Sequence, residues 1–352
     1  MKGLMMSRVQ SSVIRVGGIA ILMGLSIASG WAQTQDRILP IEGPPVEGTI
    51  TSATPTHLVV ETRGGERKFP VENIKLIRFA GEPSGLTRAR TSLQDEQYDA
   101  VLQELASIDA KDLTKPLVQE DVLFLRALAK AKKGDDAEAA AREVVAFLKT
   151  NSQTYHYFEA MELLGDLLMQ MGRYENAADS FAKLGKAPWP ETKVRAAVRE
   201  AQALQAQGPE HLQDAIKRYD QVLGANLTGP DFERHKQLAR VGRAACQAEL
   251  GETEKALAEL MDVIARGDAQ DIELFARANN ALGACYRKSN QPKYAELYYT
   301  KTDLLFSQAS DAHAESLYYL SELGRELGHA DRAQSAQRRL RAQYAQSPWA
   351  RK

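Results

Sequence analysis

Cysteine is nearly absent from this chain, with Cys246 and Cys285 the only two in 352 residues. That excludes a small fold stapled by disulfides. It also excludes a lipid anchor that needs a cysteine directly after an apolar leader, since neither cysteine stands in such a place. An excess of one charge is missing as well: 45 basic residues meet 46 acidic ones, a formal charge of −1. No global field therefore draws the protein to nucleic acid or to an anionic membrane surface. The apolar stretch near the start, residues 16–27, is shorter than the roughly 20 residues a membrane-spanning helix needs. Local catalytic signatures are lacking too: there is no Gly-x-Gly-x-x-Gly, no phosphate loop, no His-Glu-x-x-His and no Gly-x-Ser-x-Gly. The six histidines, His57, His156, His211, His235, His313 and His329, are scattered, and none forms the i, i+4 pair that suits zinc. The sequence gives no reason to expect an enzyme, a cofactor or a metal.

What is present begins with a leader. Lys2, Arg8 and Arg15 form a basic start, the stretch 16–27 is uncharged and largely apolar, and Gly30-Trp31-Ala32 fits a small-x-small cleavage site. Residues 1–32 read as a signal peptide of an exported bacterial protein of the periplasm or cell envelope, with an uncleaved anchor as the alternative. Cleavage removes three basic residues and leaves 42 against 46 acidic ones, a charge of −4. The mature chain is then expected to be soluble, without membrane insertion.

Residues 38–81 hold short β-branched runs separated by turn signals: 46–51, 57–62, 67–71 and 74–79. Arg63-Gly64-Gly65-Glu66 reads as a hairpin turn, because adjacent glycines supply the positive φ angles of primed turns. Four or five strands in so short a stretch resemble SH3-like or Sm-like barrels, and the expectation is a module that caps or docks onto the rest of the chain.

From Ser84 onward a ruler appears. Ala100, Ala139, Ala177, Ala215, Ala256, Ala295 and Ala333 recur at intervals of 38 to 41 residues. Five residues before most of them stands a turn residue, namely Asp95, Gly134, Gly172, Gly251, Asn290 and Gly328, with Gly208 displaced by two in the fourth unit. Each turn residue ends a first helix by adopting a left-handed cap. Each alanine sits where the second helix crosses the first, since a small side chain permits close approach. Cys246 and Cys285 hold equivalent places in adjacent units, about one helix spacing or 8–10 Å apart, beyond the ~7 Å reach of a disulfide. Two buried thiols are expected. The cluster 224–230 (Gly-Ala-Asn-Leu-Thr-Gly-Pro) is the longest set of helix breakers in the array; it is either a tilt point between the first four hairpins and the last three, or a long turn.

These units resemble the tetratricopeptide repeat family. The third carries Leu164-Gly165, Gly172, Tyr174, Ala177, Phe181 and Pro188 on that family's positions, and the sixth carries Leu282-Gly283, Tyr286, Ala295 and Tyr299. The resemblance covers residues 84–345 and departs from the family in its period, near 39 residues rather than 34. It implies a mainly α solenoid of about seven hairpins whose first helices line a concave groove for a protein or peptide. Carried onto this frame, the groove presents Asp121, Phe124, Glu159, Glu162, Asp166 and Met169 at one end. At the other it presents Arg277, Asn280, Arg287, Lys288, Tyr318 and Arg325, diluted by Glu315, Glu322 and Glu326. The sharper expectation is that the basic end grips a carboxylate or acidic segment, with Asn280 holding a peptide backbone. The run Tyr155-His156-Tyr157-Phe158, with Trp189 after it, is expected to staple consecutive hairpins. The leading function is an envelope scaffold or adaptor. The alternatives are a structural subunit of an envelope assembly and, least favoured, an enzyme with its site at the junction of β module and array.

Overall fold

The computed structural model describes residues 35–268 and 270–352. The expected signal peptide lies outside the described residues, and among these no helix is long and apolar enough to cross a membrane.

Strands β1 (Asp36–Pro40), β2 (Val46–Ala53), β3 (His57–Thr62), β4 (Gly65–Pro70) and β5 (Ile74–Arg78) form one antiparallel sheet in the order β4-β3-β2-β1-β5. Alternation sets the inward face: Leu58 and Val60 of β3 are buried, and Phe69 of β4 stands opposite Leu58. A register shift between Ile50 and Ser52 bends β2, which pairs with β1 over its first half and with β3 over its second. Together with the 3-10 turn Val71–Asn73 before β5, this makes the small five-stranded antiparallel module expected from the sequence. The first strand starts ahead of residue 38 because the buried Asp36 carboxylate fastens it. Its oxygens accept the Ile50 amide at 3.0 Å, the Ala80 amide at 2.7 Å and the Lys115 ammonium at 3.2 Å.

The chain then turns helical, with fourteen helices among the described residues: α1 (Ser84–Gln94), α2 (Tyr98–Ala106), α3 (Pro116–Lys133), α4 (Ala137–Thr150), α5 (Tyr157–Gln170), α6 (Tyr174–Leu184), α7 (Pro190–Gln207), α8 (Leu212–Leu223), α9 (Pro230–Glu249), α10 (Thr253–Arg266), α11 (Ile272–Lys288), α12 (Pro292–Leu305), α13 (Ser310–Glu326) and α14 (Ala330–Gln343). They pair as seven hairpins. Ile38, Leu58, Val60, Phe69 and Ile77 of the sheet share one core with Leu86, Ala89, Val101, Leu105, Val118 and Val122 of the first helices. The sheet therefore seals the apolar end that the first hairpin would otherwise expose.

Ala177, Ala215, Ala256, Ala295 and Ala333 are buried as the ruler requires. The first two units correct it by one residue. In the first hairpin Glu96, not Asp95, takes the left-handed conformation (φ 56°), and Val101 five residues on fills the crossing. In the second, Asp136 caps α4 by accepting the Ala139 amide at 2.8 Å, which lengthens the turn and moves the crossing to Ala140. Large second-helix aromatics fill the spaces left by first-helix glycines. A Cβ on Gly165 or Gly283 would stand 2.5 or 2.7 Å from Phe181 or Tyr299, and one on Gly242 would overlap the ring of Tyr219. One core runs unbroken from Val194 through Leu238 to Tyr298, so 224–230 is a long turn rather than a break in packing. Cys246 and Cys285 are buried free thiols within that core, and burial pushes both up to about 12.

Candidate functional site at the junction of sheet and array

The first helices α1, α3, α5, α7 and α9 contribute one wall of a cavity of about 1000 Å³, and β5 with its preceding turn supplies the opposite wall. The volume lies at the upper end of the ~300–1000 Å³ range of ligand pockets.

Its floor is a buried ionic network. Arg90 of α1 donates Nη1 to both Glu82 oxygens at 2.8 Å, and Nε and Nη2 to Asp121 Oδ2 at 3.1 and 2.5 Å. The other Asp121 oxygen accepts the Tyr155 hydroxyl and lies 2.9 Å from His156 Nε2. His156 Nδ1 reaches Glu159 at 3.3 Å, and the imidazole stacks on Phe124 with centroids 4.0 Å apart. Burial opposes the charge on His156, yet its bonds to Asp121 and Glu159 raise it to about 9. Burial likewise opposes the Asp121 charge, but His156 and Arg90 hold that carboxyl down at about 2. Tyr155 is driven well above the ordinary phenol value by burial and by Asp121. A histidinium bonded through both nitrogens has no free lone pair with which to accept a proton, and no hydroxyl or thiol nucleophile bonds to it. The cluster holds α1, α3 and the start of α5 together, and Glu82 accepts the Phe79 amide just past β5 at 2.8 Å.

Above this floor the cavity is acidic and partly apolar. Seven carboxylates line it against Lys75, Arg90, Arg195 and the protonated His156, a surplus of three negative charges. Arg195 pairs with Glu162 at 2.8 Å. Burial raises Glu72, and the neighbouring Glu191 adds to the effect against the pull of Arg195. Phe158 and Trp189 meet edge to face at 5.5 Å on the same wall, and the side chain of Ile41, 62% exposed, stands at the margin.

The structure gathers part of the acidic end read from the sequence. Asp121, Phe124, Glu159 and Glu162 all reach this cavity, Asp121 and Phe124 as its buried floor. Asp166 turns aside to pair with Arg199, and Met169 packs into the α5–α6 core. Sequence reasoning missed Arg90, Glu72, Glu191 and Arg195, and it read Tyr155 only as an aromatic staple, not as a donor to Asp121. One signal was present: Asp121 falls three residues after Val118 and four before Leu125, on the apolar stripe of α3, where a carboxylate persists only if paired.

At the other end the expected cations already have partners. Arg277 reaches Glu273 at 3.1 Å and Asp311 at 3.6 Å, Arg287 and Lys288 share Glu249 at 3.0 and 2.7 Å, and Arg325 pairs with Glu322 at 2.8 Å. Asn280 does not face a groove as expected; it is buried and donates to the Ala312 carbonyl at 2.8 Å and to Glu315 at 2.9 Å. Tyr318 is covered by the chain's own tail. The 3-10 turn Pro348–Arg351 sets Trp349 against Tyr318 and Tyr319 at 5.5 and 5.7 Å, and the Arg351 guanidinium donates to the Met171 carbonyl of the third hairpin at 3.1 Å. Nearby Glu315 is raised to about 7 by burial, with Asp311 adding to it against Asn280 and Arg277.

No family model and no curated protein matches the chain. Solved structures do. A tetratricopeptide repeat protein from Parabacteroides merdae is similar over 74% of this chain and 91% of its own, at 14% identity and a TM-score of 0.55. A Rap protein complexed with Competence and Sporulation Factor is similar over 76% of both chains, at 14% identity and a TM-score of 0.50. Likeness at this identity speaks for the fold, and the seven hairpins have the tetratricopeptide architecture.

Proposed function

We propose that this tetratricopeptide-like chain is an exported adaptor of the periplasm or cell envelope that binds a protein or peptide in the concave face of its array, chiefly at the junction with the sheet. The observation that carries the reading is the cavity itself: first helices of successive hairpins converge on a space that is open to ligand yet walled by aromatics and by a surplus of carboxylates. The Rap protein of like fold, complexed with a factor, accords with such use. Arg277, Arg287 and Lys288, the cations expected to grip a ligand at the basic end, are engaged within the chain, which favours the acidic end for binding. The test is capture from an envelope fraction by the immobilised protein. Replacing the exposed Glu159 and Glu191 together by lysine should remove the captured partner, and the same recovery with this variant would refute the assignment.

A stable subunit of an envelope assembly is a second reading with its own observation. Tyr294, Leu297, Leu304 and Leu305 form an exposed apolar stripe along one side of α12, and such a stripe fits a permanent contact. Light scattering on the native complex separates the two: a fixed stoichiometry supports the subunit, an exchanging one the adaptor.

A further inference from the structure

Strand β5 stands at one end of the sheet order, and among the described residues no strand pairs with its outer side. An edge of this kind carries a row of backbone donors and acceptors that would bind another strand, and proteins usually blunt or cover it. Here it borders the cavity. Ile74, Lys75, Leu76 and Ile77 all line that space. Side chains alternate between the two faces of a strand, so four successive residues meet one cavity only if the cavity runs along the strand's edge.

Resting on the groove reading, we propose that β5 receives an extended peptide segment bearing lysine or arginine in alternation with apolar residues, which adds to the sheet as a sixth strand inside the cavity. Three features specify this occupant. Backbone groups of alternate β5 residues point to the open side and fix the ligand's main chain. Four of its residues, Ile74, Lys75, Leu76 and Ile77, offer a footing of about 14 Å at ~3.4 Å per residue. The charges then select the side chains. Glu72 on the turn before β5 and Glu191 on α7 repel each other across the space, Glu159 stands exposed on α5, and a cation placed among them replaces repulsion by ion pairing. Apolar side chains at the intervening positions meet Ile41, Leu76, Phe158 and Trp189. An acidic segment would add to the surplus negative charge and is rejected.

The probe is a blocked heptapeptide, Lys-Val-Lys-Val-Lys-Val-Lys, titrated calorimetrically into the full chain. We expect binding, at least tenfold weaker with the Glu72→Gln, Glu191→Gln double variant, at least tenfold weaker when alternate peptide nitrogens are methylated, and absent when glutamate replaces the lysines. Amide exchange at residues 74–78 should slow at least tenfold on binding. Equal affinity for the methylated peptide, or unchanged exchange in β5, would overturn strand addition. Equal binding of the glutamate peptide would overturn the charge selection. If envelope proteins are captured through Glu159 and Glu191 while no lysine peptide binds, the groove reading survives and the β5 proposal fails; if neither binds, both fail.

Discussion

Arg90 and Asp121 lie 31 residues apart and belong to different hairpins, yet the guanidinium of one closes on a single carboxylate oxygen of the other through two nitrogens, at 3.1 and 2.5 Å, with both side chains buried. Removing one member of a buried pair leaves the other desolvated and uncompensated, which typically destabilises by about 3–5 kcal/mol. Asp121→Asn keeps the volume and removes the charge. Amide exchange in α3 and α5 should accelerate by a corresponding factor of at least a hundred, while α10 and α11, whose hairpins touch neither this network nor the Arg351 contact, are unaffected. Uniform acceleration along the array would contradict this local role.

The same network gives stability a pH profile. His156 holds its proton to about pH 9 when folded, above its ordinary value of 6.5. The stabilisation is thus complete below pH 6.5 and is lost as pH rises through 9, with a total on the order of 3 kcal/mol. Asp121 has the opposite sign: held at about 2 against 3.8, it stabilises above pH 3.8 and ceases to do so as pH falls toward 2. Denaturant titrations at pH 6 and pH 10 should differ for the parent protein, and His156→Gln should shrink that difference by about 3 kcal/mol, leaving the shares of Glu315 and of the buried Cys246 and Cys285 thiols.

Glu315 behaves differently. Its carboxyl sits at about 7 in the fold against an ordinary 4.5, so the folded state binds the extra proton and stability falls as pH rises from 4.5 through 7. Glu315→Gln should stabilise the protein by about 3 kcal/mol at pH 8 and leave it nearly unchanged at pH 4. Thermal melts at the two pH values would read this directly.

A steric prediction concerns Gly242. Its helix lies so close to Tyr219 that a Cβ would overlap both the ring and the hydroxyl. Gly242→Ala should cost about 1–3 kcal/mol through overpacking, despite alanine's better helix propensity. Pairing it with Tyr219→Phe should restore little, since the ring remains; pairing it with Tyr219→Leu should restore more. Chemical denaturation of the three variants tests the order.

The fold was legible in the sequence wherever spacing repeats. Turn and crossing residues recur with a fixed offset, so Gly172 with Ala177 and Gly251 with Ala256 could be read directly. Glu96 could not, because a non-glycine in the left-handed region gives no compositional sign. The sheet was legible from β-branched runs, but its shared core with α1 and α3 depends on contacts distant in sequence. At the proposed binding face, position in the repeat placed Glu159 and Glu162 but said nothing of pairing. Arg287 and Asn280 looked available because their partners, Glu249 and Ala312, lie on other hairpins. The open edge of β5 was invisible, since strand order is a property of topology rather than of pattern.

The small contact of Arg351 with Met171 changes what kind of object the array is. A row of hairpins fastened only to its neighbours flexes like a spring, and strain introduced at one coil escapes at the next. With the seventh hairpin tied back to the third, those coils form a clasped bracelet. A guest that widens the bracelet must either unfasten the clasp or share its strain among all the enclosed hairpins, so entry at one place is felt mechanically across the ring.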